Sequence, residues 1–216
     1  MSPRPPASAV LALLLSACAS APRTARPDLP PAREIRAGVR DPGAGSVPPS
    51  PVPANGPERE RAVRTAIETA RGLVGQRDIS VAGNRFGDDC AALVRAALSR
   101  AGAPLPASVT SVGTLHSVAR ERGLLRRGAP APGDVVFLAD KPGGGPAHVG
   151  IVESVGTDGT AMVLHRTGRG VARLRVNAEH PWTLKGDRGR IVNDPLVTGS
   201  GRLPAGRLFV AWASLY

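Results

Sequence analysis

The sequence predicts an α+β domain, helices packed against a β-sheet, at the end of a chain that opens with a leader and a long tether. Two observations carry the fold class. Apolar residues recur at helical spacing in two segments between residues 58 and 98, and beyond Pro132 the pattern changes to short Val-, Ile- and Leu-rich runs bounded by Gly, Pro or Asp. Helical segments followed by strands, rather than alternating with them, indicate α+β. The 216 residues suffice for one domain with extensions.

The elements follow in chain order. Residues 1–17 hold Arg4 and then the apolar run Ala9-Val10-Leu11-Ala12-Leu13-Leu14-Leu15, too short for a membrane-spanning helix of about 20 residues, and so read as an export signal. The run ends in Leu15-Ser16-Ala17-Cys18, which resembles the lipobox of bacterial lipoproteins. That resemblance implies a lipid on Cys18 and a hold on a membrane through its buried methylenes. Ala19 is not the aspartate that in this resemblance retains lipoproteins at the inner membrane, so an outer-membrane anchor facing the periplasm is expected. Residues 18–57, with Pro30-Pro31, Pro48-Pro49, Pro51 and Pro53, have no apolar period and are expected to form a disordered tether.

The folded domain is expected over residues 58–216. Val63, Ala66, Ile67, Ala70, Leu73 and Val74 predict a first helix that Gly75 ends. After a loop, Cys90, Leu93, Val94, Ala97 and Leu98 share the face of a second helix, capped by Asp88 or Asp89 and stopped by Gly102. A third is expected from Ser111 to about Arg122. Strands are expected at 135–138, 148–155, 161–166, 171–176 and 207–213, with no internal repeat.

The chain carries 28 Lys and Arg against 17 Asp and Glu, a net charge of +11 that suits an anionic partner. Nucleic acid is not the partner expected: the basic residues are scattered, and aromatics make up only 3%, leaving no stacking platform. Of the two cysteines, Cys18 lies in the leader and Cys90 in the domain, which argues against a structural disulfide. No Cys/His/Asp cluster has metal-ligand spacing, and no metal or other cofactor is expected.

Cys90 at the first turn of its helix is either a small core residue or a nucleophile whose thiolate the helix start stabilises. His148 opens a strand after Gly143-Gly144-Gly145-Pro146, where it is equally a loop residue or a base with access to a thiol. His165 lies on the next strand, across a hairpin signalled by Gly156-Thr157-Asp158-Gly159-Thr160. An Asp158-Gly159 turn pairs Val152 with His165, and a Gly156-Thr157 turn pairs His148 with His165. Both set the histidines on one face, but only the second, or a bulge, brings them together. His116 and His180 read as structural or exposed, and Asp134 as a turn residue.

Asp89-Cys90-Ala91-Ala92-Leu93-Val94, Pro132-Gly133-Asp134-Val135-Val136-Phe137, His148-Val149-Gly150-Ile151-Val152 and Leu164-His165 resemble, in order, the motifs of NlpC-type cell-wall peptidases, over about residues 60–213. The resemblance implies a papain-like fold whose nucleophile-bearing helix packs on an antiparallel sheet. It makes Cys90 the nucleophile, His148 the base and His165 its orienter, with Asp89 binding the free amine of a peptidoglycan stem peptide. The reaction it implies is hydrolysis of a stem-peptide amide, between D-glutamate and the diamino acid, by a monomer. CHAP-type amidases, which often cut between the sugar and the first alanine, are the close variant. Two positions depart from the NlpC pattern: Ala91-Ala92 replaces the usual Ser-Gly, and Asn84-Arg85-Phe86 stands where a Tyr is expected. They keep open a changed stem specificity, and a non-catalytic envelope binding protein of the same fold.

Overall fold

Pro57 has the fixed φ that a helix start favours, and Glu58 and Glu60 beside it complement the helix dipole, so α1 (Pro57–Gly72) starts at the end of the expected tether. The computed structural model describes residues 56–216. The leader at 1–17, Cys18 and the tether as far as residue 55 lie outside the described residues. Among those described, no helix is long and apolar enough to cross a membrane. Helix α1 buries Ala62, Ala66, Ile67 and Ala70 and stops two residues before the expected end, leaving Val74 exposed.

The stretch read as a loop before Cys90 contains a hairpin, β1 (Ile79–Val81) and β2 (Asn84–Gly87). Ala82 and Gly83 between them both have positive φ, 50° and 80°, as a two-residue turn of this hand requires. Alanine there gives no turn signal, which is why the hairpin was not expected. Helix α2 (Cys90–Arg100) follows, capped by Asp89, whose Oδ1 accepts from the Ala92 N–H at 2.9 Å. Gly102, at φ 78°, ends it while Ala103 N–H returns to the Leu98 carbonyl. Helix α3 (Val112–Glu121) begins with a capping box between Ser111 and Thr114.

The remaining strands are β3 (Leu125–Arg126), β4 (Val135–Ala139), β5 (Pro146–Val155), β6 (Ala161–Thr167), β7 (Gly170–Val176), β8 (Pro195–Thr198), β9 (Gly201–Pro204) and β10 (Phe209–Ala213). Six form an antiparallel sheet in the order β3-β10-β4-β5-β6-β7, and β8 and β9 form a separate hairpin. The helices cover one face, where Leu93, Val94 and Leu98 of α2 meet Phe137, Val149, Ile151 and Leu164. Burying each such side chain contributes about 1.5–3 kcal/mol. The other face packs Val136, Leu138, Val152, Val163, Leu174 and Trp212 beneath Leu196 and Leu203 of the β8–β9 hairpin. The fold is the expected α+β arrangement of helices against an antiparallel sheet, with Cys90 at the start of α2. The hairpin β8–β9 and the short strand β3 are additions to what the sequence predicts.

Strand pairing between β5 and β6 follows neither register considered from the sequence. The connection spans Gly156 to Thr160, and the first pairs are Val155 with Ala161 and Ser154 with Met162. The register then shifts by one at Glu153, so that Val152 faces Val163 and Gly150 faces His165. Because side chains alternate, this single shift decides which face His165 occupies. Continued without it, the hairpin register would pair His165 with Ile151, an odd number of residues from His148, and put the histidines on opposite faces. With it they share a face, two positions or about 7 Å apart along the strand.

Glu153 itself is buried and held from two sides. Its carboxylate accepts from Arg71 Nε of α1 at 2.5 Å, and from Arg173 Nε and Nη2 of β7 at 2.7 and 2.9 Å. These hydrogen bonds hold its carboxyl below the usual carboxylate range despite burial. Glu153→Ala leaves two guanidinium groups without their partner and removes the anchor of the bulge, at an expected cost of about 1–3 kcal/mol. Urea denaturation of the variant beside the parent chain measures this; an unchanged midpoint would show that the bulge holds without the carboxylate.

Candidate active site

Three features bring the site together at one end of the sheet. Cys90 is the first residue of α2, because the cap at Asp89 begins the helix there. His148 lies in the N-terminal half of β5, and His165 near the C-terminal end of β6. Cys90, His148 and His165 all line one cavity of about 860 Å³. The β6–β7 turn, strand β7 and the β8–β9 hairpin form the rest of its wall, with Arg169, Leu174, Leu196 and Arg202 among the lining residues. Gly150, between the histidines in register, has no room for a side chain: a Cβ there would lie 2.5 Å from Val163 and 3.0 Å from the Cβ of His165.

Cys90 is half-buried, and its thiol points to the Arg166 carbonyl at 3.7 Å. Burial pushes the thiol above its ordinary range, with Asp89 and Asp140 adding to the rise and the Arg166 guanidinium opposing it. Burial thus opposes the thiolate that the helix start favours.

Strand β5 begins at Pro146, two residues before the start expected at His148. His148 Nε2 lies 2.8 Å from Asp140 Oδ1, in the loop after β4. The sequence reading did not single out Asp140; Asp140-Lys141-Pro142-Gly143 reads as an ordinary turn, and only the pairing of Leu138 with His148 brings the two side chains together. His165 is buried, and burial foremost, then the neighbouring His148, lower its pKa to about 4, with Asp194 acting in the opposite sense. His165 is thus an uncharged ring at neutral pH.

Asp89 does not line the cavity. Its Oδ1 caps α2, and its Oδ2 accepts from Arg95 Nη2 at 3.0 Å. Asp134 is a turn residue, as expected: its carboxylate accepts from the Ala131 N–H at 2.6 Å and from Arg126. His116 packs edge-on against Phe137, with ring centroids 5.0 Å apart, and lies away from Cys90. Among the described residues, no group of three or more His, Cys, Asp or Glu side chains is arranged to hold a metal ion.

Comparison with known proteins fits this arrangement. Residues 80–166 match the family model of the CHAP domain, a segment that contains Cys90, His148 and His165. The match supports the NlpC- and CHAP-type, cell-wall-peptidase-like domain expected from the motifs. No curated protein matches the chain. Among solved structures, one similar chain is an NlpC/P60 family protein from Bacillus cereus ATCC 10987, at 18% identity and TM-score 0.44, covering 77% of this chain and 42% of that one. Another is Ly7917, at 18% identity and TM-score 0.38, covering 70% of this chain and 98% of that one. The chain therefore spans less than half the length of the Bacillus protein.

Two consequences are measurable. His165 binds its proton less readily when folded than when unfolded, so the unfolded state gains protons first as the pH falls. Stability should be level above pH 6.5 and drop between 6.5 and about 4, by up to about 3 kcal/mol. Denaturation midpoints across that range test this, and the part due to His165 should vanish in His165→Gln. Cys90 should react with iodoacetamide more slowly at pH 7 than a free cysteine of pKa about 8.5, its rate climbing with pH beyond the ordinary thiol range. Rapid neutral labelling would mean that the resting sulfur is ionised.

Proposed function

We propose that the domain hydrolyses an amide bond in the stem peptides of peptidoglycan, through a thioester on Cys90. The observation that carries this reading is the opening of Cys90 and His148 on one cavity, with Asp140 bonded to Nε2 of the imidazole. The match of residues 80–166 to the CHAP domain supports a peptidoglycan-hydrolase type of chemistry.

The chemistry follows from the protonation states. A carboxylate can only accept, so Asp140 holds the proton of His148 on Nε2 and leaves Nδ1 as the basic nitrogen. Since the Cys90 thiol is protonated at rest, His148 takes that proton as the sulfur attacks the carbonyl carbon. The backbone N–H of Cys90 at the start of α2 stabilises the oxyanion of the tetrahedral intermediate. His148 then returns the proton to the leaving amine, and the acyl group remains on sulfur. A water molecule, deprotonated by His148, attacks the thioester; the acid product leaves and the thiol is regenerated. His165, neutral and buried beside His148, acts as an uncharged support for that ring. Asp140 takes the orienting role that the motif resemblance gives to His165.

Between the possible bonds, the motif order Cys-His-His favours the amide between D-glutamate and the diamino acid. The CHAP match favours the N-acetylmuramoyl-L-alanine bond as the second reading. In either case the proposed setting is the cell envelope, with Cys18 lipidated, residues 18–57 as the tether and the domain facing the periplasm from the outer membrane. All three side chains come from one chain, so a monomer suffices.

The test is digestion of peptidoglycan and soluble muropeptides by the chain lacking residues 1–18, with mass spectrometry of the fragments. Cys90→Ala should abolish product, and His148→Ala should lower the rate by about 10²–10⁴-fold. Asp140→Ala should lower kcat more than His165→Gln does. Fragment masses identify the bond. A folded chain that cuts no wall material would leave only the wall-binding role, and equal cutting by Cys90→Ala would rule out the thioester on Cys90.

A further inference from the structure

The wall of the cavity beyond the cysteine and histidines carries an excess of positive charge that the reaction chemistry does not use. Arg166, Arg169, Arg173 and Arg202 line it, against a single carboxylate, Asp194. Three of these charges are already committed. Arg173 is bound to Glu153, Asp194 is bound by Arg175 through both a side-chain and a backbone donor, and Arg166 donates Nε to the Arg77 carbonyl with Asp88 at 3.9 Å from its Nη2. Arg169 and Arg202 are exposed, and among the described residues neither has an ion-pair partner.

Their positions are fixed by backbone. Arg169 sits in the turn between β6 and β7, closed by the Thr167 hydroxyl donating to the Gly170 carbonyl at 2.8 Å and accepting from the Arg169 N–H at 3.1 Å. Arg202 is on β9, in a hairpin whose first end is held to β7 and whose second end is held to the first. Asp194 N–H donates to the Arg175 carbonyl at 3.0 Å, Ala205 N–H to the Asp194 carbonyl at 3.0 Å, and Gly206 N–H to the buried Asn193 side chain at 2.8 Å. The hairpin lies outside the segment that matches the CHAP domain. The remaining lining on this side of the cavity, Ala172, Leu174, Pro195, Leu196 and Val197, is apolar. Two guanidinium groups beside low-dielectric walls attract an anion more strongly than the same groups on an open surface.

We infer that Arg169 and Arg202 form an anion subsite of the cavity, and that its ligand is a free carboxylate next to the scissile amide of a wall stem peptide. This deepens the proposed hydrolase reading and rests on it. A guanidinium recognises a carboxylate through paired N–H donors, whereas an amidated carboxyl presents its own donors and no charge. The subsite therefore selects stems whose D-glutamyl α-carboxylate is free over stems in which it is amidated.

The experiment measures binding to the full chain carrying Cys90→Ala, by calorimetry, of two soluble muropeptides that differ only in amidation of the D-glutamyl α-carboxyl. The free carboxylate should bind about tenfold or more tightly, the worth of a charge-assisted hydrogen bond. Adding Arg169→Gln and Arg202→Gln should erase that difference, while Arg169→Lys and Arg202→Lys should retain part of it. Matching melting curves exclude misfolding as the cause. Equal affinity for the two peptides, a preference that survives both glutamines, or no binding of the free-carboxylate form would overturn the inference. So would loss of binding to anionic phospholipid vesicles without loss of the peptide preference, since the arginines would then serve a membrane surface. Turnover by the parent chain separates the two claims. Cleavage with no arginine-dependent preference leaves the hydrolase and removes the subsite; preference without cleavage leaves the subsite and removes the hydrolase.

Discussion

A one-residue register shift at Glu153 is the constraint on which the site depends. A β-strand presents its side chains with a period of two, so the face on which His165 emerges is a matter of parity. The hairpin closing at Gly156–Thr160 sets one parity and the pairing of Gly150 with His165 has the other; only the irregularity between Val152 and Ser154 reconciles them. The residue at that irregularity carries a carboxylate bound to α1 through Arg71 and to β7 through Arg173. The helix layer and the sheet edge are thus joined at the point that determines where His165 lies. The absence of a side chain at Gly150 belongs to the same solution, because a Cβ there would occupy space taken by Val163 and His165.

The electrostatic pattern has two zones. Around the sulfur, burial dominates: it pushes the thiol up and keeps the His165 ring neutral, while the Arg166 guanidinium acts on the thiol in the opposite sense. Nothing in this zone requires a permanently separated charge pair, and the one carboxylate at the base, Asp140, is more than half exposed where water can solvate it. Net positive charge is displaced to the β6–β7 turn and the β8–β9 hairpin, at the rim. With the charge at the rim, the cations stay where water solvates them and need not be buried.

Much of this was legible in the residues, for identifiable reasons. Helix α2 shows a clear apolar face and an Asp cap, and β4 to β7 are Val-rich runs with sharp Gly or Pro boundaries, so tertiary packing agrees with local preference. The hairpin β1–β2 was hidden because its turn uses Ala82 where Asn or Asp would have signalled it, and its strands have only three and four residues. Strand β3, with two residues, exists only because β10 pairs with it. Hairpin β8–β9 carries a Gly199-Ser200 turn signal but has no apolar alternation to draw attention to it.

Site residues divide along the same line. Cys90 and His148 are marked by their positions at the starts of a helix and a strand, which local sequence encodes. Asp140 is marked by nothing local, since its relation to His148 arises from pairing across β4 and β5 with a shift between Leu138 and Ala139. The same holds for the thiol: the helix start favours a thiolate, and the protein packed around Cys90 opposes it. Residue type and spacing thus identify which groups are available for chemistry. Register determines which nitrogen of His148 meets a carboxylate, and burial how strongly the Cys90 thiol resists ionisation.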